Sequence, residues 1–170
     1  MDTVLPADIA QMAARVVAEN KAAGRTVAVA ESCTGGLVSA AITEVPGSSA
    51  ILGSGYVTYS NEAKMTMLGV NEDIIDTFGA VSVAVAWAMA QGALKKSGAD
   101  IAVAISGVAG PDGGTVNKPV GTVVFAVALK GQNPEDVVGD KKAFGEDKSR
   151  ADIRAFATLY ALELLLPPAP

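Results

Sequence analysis

The chain has 170 residues, half of them apolar but only 5% aromatic, and it carries a formal charge of −5. This length fits a single domain whose interior is built mainly from Ala, Val, Ile and Leu. Histidine is absent and cysteine occurs once, which excludes a Ser-His-Asp triad, a Cys-His dyad, a histidine-based zinc site and an internal disulfide.

Helix and strand signals alternate along the chain. The side chains of Ser60 and Ser82 can each accept a hydrogen bond from a first helical turn, so both are predicted helix caps. In chain order the sequence predicts a helix over 6–23, a strand over 26–32, a helix over 35–44, a strand over 50–59, helices over 60–69 and 82–96, strands over 101–106, 122–129 and 137–144, and a closing helix over 150–166.

This alternation, with strands that are continuous apolar runs, predicts a three-layer α/β/α sandwich with a mixed, largely parallel sheet. The short connection between strands 122–129 and 137–144 predicts one antiparallel pair. We expect a single domain over 1–166 and a Pro-rich tail over 167–170. Ligands of such sheets bind at the carboxyl ends of strands, which is where the motifs AESCTGG and ISGVAGPDGG lie.

The motif AESCTGG places Ser32 between a strand and a helix that begins at two glycines. Unpaired N–H groups at a helix start can hold a phosphate or an oxyanion, so Ser32 could be a nucleophile beside its own oxyanion hole. The alternative is that Ser32 or Thr34 only caps the helix. Cys33 is the other candidate nucleophile, but with no histidine to deprotonate it, a small buried thiol is the expectation.

The motif TYSNEAK places Tyr59 at a strand end and Lys64 about one turn into the next helix. A cation near a helix N-terminus is repelled by the helix dipole, and this repulsion together with partial burial would lower the lysine pKa. Such a lysine could take a proton from a serine hydroxyl, and a tyrosine could pass a proton to a leaving group. The alternative is an ordinary solvated lysine.

The segment ISGVAGPDGGTVNKPVG is a glycine-rich loop that can bring backbone close to a ligand. Ser106 would then be a polar contact at the strand end, whereas the alternative is a long surface loop without a ligand. Asp112 and Glu31 could in principle hold a cation, but two carboxylates alone favour solvated roles.

Two arginines stand at the start of the closing helix. Arg150 and Arg154 are four residues apart and therefore share a helix face. Arginine in such a position can clamp a phosphate with two hydrogen bonds. Ion pairs with the neighbouring Asp147 or Asp152 are the alternative.

Taken together, AESCTGG, PGSSAILGSGYVTYSNEAK and SGVAGPDGG followed by KPVGTV closely resemble the CinA C-terminal domain family. The resemblance extends over residues 14–166 and implies a stand-alone form, without the molybdopterin-binding-like domain of full-length CinA. Characterised members include nicotinamide-nucleotide amidases. The resemblance therefore implies hydrolysis of nicotinamide mononucleotide to nicotinic acid mononucleotide and ammonia, without a metal or another cofactor.

The resemblance also implies roles for individual residues. The nucleophile falls on Ser32, the lysine base on Lys64 and the catalytic tyrosine on Tyr59, while Ser106 would be a polar substrate contact and Arg150 the phosphate contact. The full set of expected substrate-binding residues is Cys33, Thr34, Gly35, Ser48, Ser106, Gly107 and Arg150.

The sequence thus predicts a Ser–Lys amidohydrolase with a small-molecule nucleotide as its partner. One alternative is a non-catalytic nucleotide-binding or regulatory module of the competence and DNA-damage response, and another is an amidase with a different substrate. The acidic balance without a Lys or Arg cluster argues against nucleic acid as the main partner. With no apolar run long enough to span a bilayer and no secretory signal pattern, we expect a cytoplasmic protein that could form a homo-oligomer.

Overall fold

The computed structural model describes residues 3–168, so the last two residues of the predicted tail, 169–170, lie outside the described part. Within this range the chain forms six α-helices and five β-strands. They are α1 (Ala7–Ala22), β1 (Val27–Glu31), α2 (Leu37–Thr43), β2 (Leu52–Val57), α3 (Asn61–Leu68), α4 (Glu72–Phe78), α5 (Val83–Ser97), β3 (Ile101–Gly107), β4 (Thr122–Leu129), β5 (Gly139–Ala143) and α6 (Arg150–Leu164). No helix of residues 3–168 combines the length and the apolar character needed to cross a membrane.

The predicted elements are confirmed, and two short ones were not predicted. Ser60 accepts a hydrogen bond from the Ala63 N–H and Ser82 from the Val85 N–H, as expected for helix caps. The helix missed by the sequence analysis is α4, which is capped by the side chain of Asn71. A single 3₁₀ turn, Ser48–Ala50, also precedes β2.

The strands form one mixed sheet in the order β2-β1-β3-β4-β5. β1 pairs in parallel with β2 and with β3, whereas β4 is antiparallel to both β3 and β5. Four of the five strands therefore run in one direction. The predicted antiparallel pair, β4 with β5, is confirmed, and a second one, β3 with β4, was not predicted. The connection from β3 to β4 contains no helix, so no crossover carries the chain back to start a parallel neighbour.

The two faces of the sheet carry side chains of different size. One face presents Val, Ile and Phe side chains to α1, α2 and α6, and the other presents mostly alanines to α5. Strand residues on the first face are Val27, Val29, Ile101, Val103, Ile105, Val123, Phe125 and Val127, and alanines on the second are Ala28, Ala30, Ala102, Ala104, Ala126 and Ala128. The helices on both faces confirm the three-layer sandwich.

The helices α3 and α5 approach each other closely at Gly92. A Cβ atom built at this position would overlap the backbone oxygen of Leu68, the last residue of α3. Only a residue without a side chain lets the two helices pack at this separation. Since α3 also carries Lys64, this close approach fixes one wall of the site described below.

We expect Gly92→Ala to lower the free energy of unfolding by about 1–3 kcal/mol, the usual cost of overpacking. This loss should appear although alanine favours a helix over glycine by about 1 kcal/mol. Gly53→Ala is the matched control, because a Cβ at Gly53 would have no neighbour within 4 Å. Urea unfolding of both variants is the measurement, and a stabilised Gly92→Ala would contradict the close approach.

Candidate active site

A cavity of about 290 Å³ opens at the edge of the sheet where β1, β2 and β3 end. Segments that are distant in sequence meet there because parallel strands bring their carboxyl ends to the same edge. The lining residues are Ser32, Cys33, Tyr59, Asn61, Lys64, Ala80, Val81, Ser106, Gly107, Val108, Ala109, Gly110, Asp112, Gly113 and Arg150. The three predicted catalytic residues are all among them.

Lys64 and Ser32 are in direct contact inside this cavity. The Lys64 Nζ atom lies 3.1 Å from Ser32 Oγ, and it also donates to the backbone oxygens of Thr58 at 2.8 Å and Tyr59 at 3.3 Å. The Lys64 side chain is only 1% exposed, so the alternative of a solvated surface lysine is wrong. No carboxylate of residues 3–168 forms an ion pair with it.

Burial lowers the pKa of the Lys64 amino group. Removing an ammonium from water disfavours its charged form, and no neighbouring carboxylate compensates for that loss. The amine therefore loses its proton more readily than a free lysine does. The direction agrees with the sequence prediction, and burial is its leading cause.

The turn after β1 is held by a buried carboxylate. Glu31 is fully buried and accepts hydrogen bonds from the N–H groups of Gly36 at 3.0 Å, Val38 at 3.1 Å and Ser39 at 2.9 Å, as well as from the Ser39 hydroxyl at 2.9 Å. Glu31 thus caps α2, and the alternative that Ser32 or Thr34 caps it is wrong. The expected solvated role of Glu31 is also wrong.

Arg154 holds the same turn from its other side. Its guanidinium donates to the backbone oxygens of Cys33 at 3.1 Å and Thr34 at 3.0 Å. The Gly35 N–H donates to the Ser32 oxygen at 3.0 Å. Among the described residues, no oxygen accepts the N–H groups of Cys33 and Thr34. Of these two residues only Cys33 lines the cavity, whereas Thr34 is fully buried, so the Cys33 N–H is the candidate donor to an oxyanion beside Ser32.

Cys33 lines the cavity but is a packing residue, as expected. Its side chain is 5% exposed, and burial raises the pKa of the thiol to about 11. The thiol therefore stays protonated at neutral pH and is a poor nucleophile.

At the mouth of the cavity, Arg150 joins Tyr59 to the glycine-rich loop. The guanidinium donates to the Tyr59 hydroxyl at 3.0 Å and to the Gly110 oxygen at 2.6 Å. The Tyr59 side chain is 59% exposed, so its hydroxyl can be reached from solvent.

Ion pairs between the two arginines and the nearby aspartates do not form. Asp147 pairs with Lys148, and Asp152 accepts from the backbone and hydroxyl of Ser149 in the capping box of α6. That alternative is wrong for both Arg150 and Arg154.

The remaining predicted contacts divide into two groups. Ser106 and Gly107 line the cavity, and the Ser106 hydroxyl donates to the Ala80 oxygen at 2.8 Å. Thr34 and Gly35 belong to the turn without lining the cavity. Ser48 lies just before β2 begins, and therefore at the amino-terminal end of the parallel strands. The site lies at their carboxyl-terminal end, so this chain does not bring Ser48 to it.

Asn61 and Asp112 also line the cavity. Asn61 is not among the predicted site residues, and Asp112 is predicted only as a possible cation ligand. A signal for Asn61 was present, since it follows the predicted cap Ser60 after a strand end. Asp112 comes from the glycine-rich loop, whose path no local pattern reveals. Among residues 3–168, no three acidic or cysteine side chains are grouped as metal ligands would be.

Comparisons with known proteins agree on one family. The family model for the CinA C-terminal domain matches residues 9–167. The nicotinamide-nucleotide amidohydrolase PncC of Escherichia coli strain K12 is 48% identical over 159 residues, which are 93% of this chain and 93% of PncC. A CinA-like protein of Mycolicibacterium vanbaalenii is 52% identical over 143 residues, which are 84% of this chain.

The relatives differ in length. The chain spans 33% of the Mycolicibacterium protein and 28% of a relative from Symbiobacterium thermophilum, but nearly all of PncC. Among solved structures, the competence/damage inducible protein CihA from Agrobacterium tumefaciens matches with a TM-score of 0.91 and 44% identity, covering 96% of this chain and 97% of that one. The chain belongs to the CinA C-terminal domain family.

Proposed function

We propose that this chain is an amidohydrolase that converts nicotinamide mononucleotide to nicotinic acid mononucleotide and ammonia. The observation that carries the proposal is the 3.1 Å contact between the buried Lys64 amine and the Ser32 hydroxyl within a cavity. A serine beside a lysine that loses its proton readily is the arrangement of an activated nucleophile. The similarity to PncC over nearly the whole chain supports the nicotinamide-nucleotide substrate.

In the first step, neutral Lys64 accepts the proton of Ser32 as Oγ attacks the carboxamide carbon. The N–H group of Cys33 stabilises the negative charge that develops on the carboxamide oxygen. Because Glu31 and Arg154 hold this turn, this donor needs little reorganisation during the reaction.

In the second step, the C–N bond breaks and the nitrogen leaves as ammonia after it receives a proton. Tyr59, alone or together with Lys64, supplies that proton. Water then attacks the ester on Ser32, releases nicotinic acid mononucleotide and restores the serine hydroxyl. No metal or other cofactor enters either step.

Arg150 is the proposed phosphate contact. It lines the cavity, and its contacts with Tyr59 and Gly110 leave further guanidinium N–H groups free to donate. The protein carries a net charge of −5, so whole-protein attraction does not draw in an anionic nucleotide and local donors must bind it.

The alternative is a regulatory module that binds a nucleotide without hydrolysing it. The CinA-like and competence/damage inducible names of several relatives keep this alternative open. Mass spectrometry of nicotinamide mononucleotide incubated with the pure protein separates the two. A mass gain that matches conversion of the amide to an acid supports the amidohydrolase, and unchanged nucleotide supports the module. A panel of other amides tests the remaining alternative, a different substrate.

We expect Ser32→Ala to lower kcat at least about 1,000-fold, because the attacking oxygen is lost. The fold should persist, since within residues 3–168 Lys64 is the only side chain that hydrogen-bonds to this hydroxyl. Cys33→Ala is the matched control and should retain most of the turnover. Steady-state ammonia release from both variants is the measurement, and the opposite result would make Cys33 the nucleophile.

Lys64 must be neutral to act as the base, so kcat/KM should rise with pH along a limb governed by one group. Protonated enzyme below the midpoint is inactive, and burial places the midpoint below the value of about 10.4 for a free lysine. Lys64→Arg should lose at least about 100-fold in kcat, because a guanidinium does not give up its proton. The exposed Lys95→Arg serves as control. Full turnover by Lys64→Arg would move the base role to Tyr59 or to a carboxylate acting through water.

Arg150→Ala should raise KM by a larger factor than it lowers kcat. The loss of the phosphate contact acts on binding, whereas the loss of the hydrogen bond to Tyr59 acts on proton transfer. Lys148→Ala is the control, because Lys148 is a neighbouring exposed cation paired with Asp147. If initial-rate kinetics show an unchanged KM, the phosphate contact belongs to Lys118 or to the backbone of the glycine-rich loop.

A further inference from the structure

The charges around Lys64 are sparse. Its ammonium faces the Ser32 hydroxyl and two backbone oxygens, all neutral acceptors. The Cys33 thiol beside it stays protonated. Two groups of opposite sign, Glu31 and Arg154, also lie close to that thiol, and neither forms an ion pair with Lys64. On α5, the helix packed against α3, the basic residues Lys95 and Lys96 stand in the last turn and do not line the cavity.

Besides Lys64, the charged residues of the cavity lining are Asp112 and Arg150. Tyr59 and Cys33 are the other titratable residues of the lining, and the Tyr59 hydroxyl is bonded to Arg150. Neither Asp112 nor Arg150 forms an ion pair with Lys64. A second positive charge placed beside Lys64 would therefore meet an ammonium that no contacting carboxylate neutralises.

The reaction geometry brings such a charge close. An attacking oxygen lies about 3–3.5 Å from the carbon it attacks, and Lys64 Nζ is 3.1 Å from Ser32 Oγ. The carboxamide carbon must then lie within about 7 Å of Nζ. In oxidised nicotinamide nucleotides this carbon is bonded to a pyridinium ring with a formal positive charge, whereas the ring of the dihydro form is neutral.

Building on the proposed function, we propose that the pyridinium ring of the substrate promotes loss of the proton of Lys64, so that oxidised nicotinamide nucleotides generate more of the base that attacks them than dihydronicotinamide nucleotides do. The proton leaves Nζ for solvent, and the lone pair that remains accepts the Ser32 O–H. The two N–H groups that stay on the amine continue to donate to the oxygens of Thr58 and Tyr59.

This coupling follows from repulsion between like charges. Two cations in a cavity of low dielectric disfavour each other, and the lysine is the one that can become neutral. A dihydronicotinamide nucleotide has the same carboxamide, ribose and phosphate but exerts no such repulsion. It should bind with Lys64 still protonated to a greater extent and be hydrolysed more slowly.

The test is calorimetry with Ser32→Ala, which is expected to bind nucleotide without turnover. Nicotinamide mononucleotide and its dihydro form are titrated in buffers of different ionisation enthalpy, at several pH values from neutral upward. The oxidised form should release up to one proton more than the dihydro form. As the pH falls, the Kd of the oxidised form should rise relative to that of the dihydro form, by up to about tenfold for each pH unit. Both ligands carry the same phosphate, so its titration cancels.

Adding Lys64→Met to Ser32→Ala should abolish the difference in proton release, which assigns the proton to Lys64. Equal release by the two nucleotides in Ser32→Ala would overturn the inference, as would a difference that survives Lys64→Met or a failure of either nucleotide to bind. Ammonia release by the wild-type protein tests the proposed function separately. Hydrolysis with equal proton release would overturn the inference alone, and unequal release without hydrolysis would overturn the proposed function alone.

Discussion

The turn between β1 and α2 is fixed by two side chains, the buried Glu31 and the half-buried Arg154. Glu31 takes the N–H groups at the start of α2, and Arg154 of α6 takes the carbonyls of Cys33 and Thr34. Neither contact uses the N–H group of Cys33, which lines the cavity next to Ser32. The same contacts tie the first strand to the last helix, so the shape of the site depends on the chain having folded to its end.

Lys64 is the second constraint, and it works against stability. A buried amine without a carboxylate partner is a costly residue, retained in folds mainly where chemistry needs it. Its three acceptors come from Ser32 and from the segment leading into α3, so the strand end and the helix must keep their relative positions. The close packing of Gly92 in α5 against Leu68 in α3 helps to keep α3 in that position.

Short-range sequence patterns predicted most of the helices and strands and the proposed catalytic residues. Ser60 and Ser82 act within one helical turn, and strand ends place Ser32, Tyr59 and Ser106 at one edge once the strands are known to be parallel. Glu31 could not be predicted, because its burial depends on α2 folding back over it. Arg154 reaches its partners across 120 residues. The second antiparallel pair was inferable from the missing crossover helix between β3 and β4, whereas α4 was overlooked despite Asn71 and two acidic residues at its start.

The unequal faces of the sheet give the domain an uneven tolerance of sequence change. On the face toward α5 the strands carry mostly alanine, so their side chains can hardly be made smaller. A larger side chain at these positions would overpack the contact between the sheet and the helix. On the opposite face Val, Ile and Phe can lose methyl groups at the cost of a cavity. We therefore expect substitutions to accumulate unequally in the two cores. Side-chain volume should hardly change on the face toward α5, whereas aliphatic residues of similar size should replace one another on the opposite face.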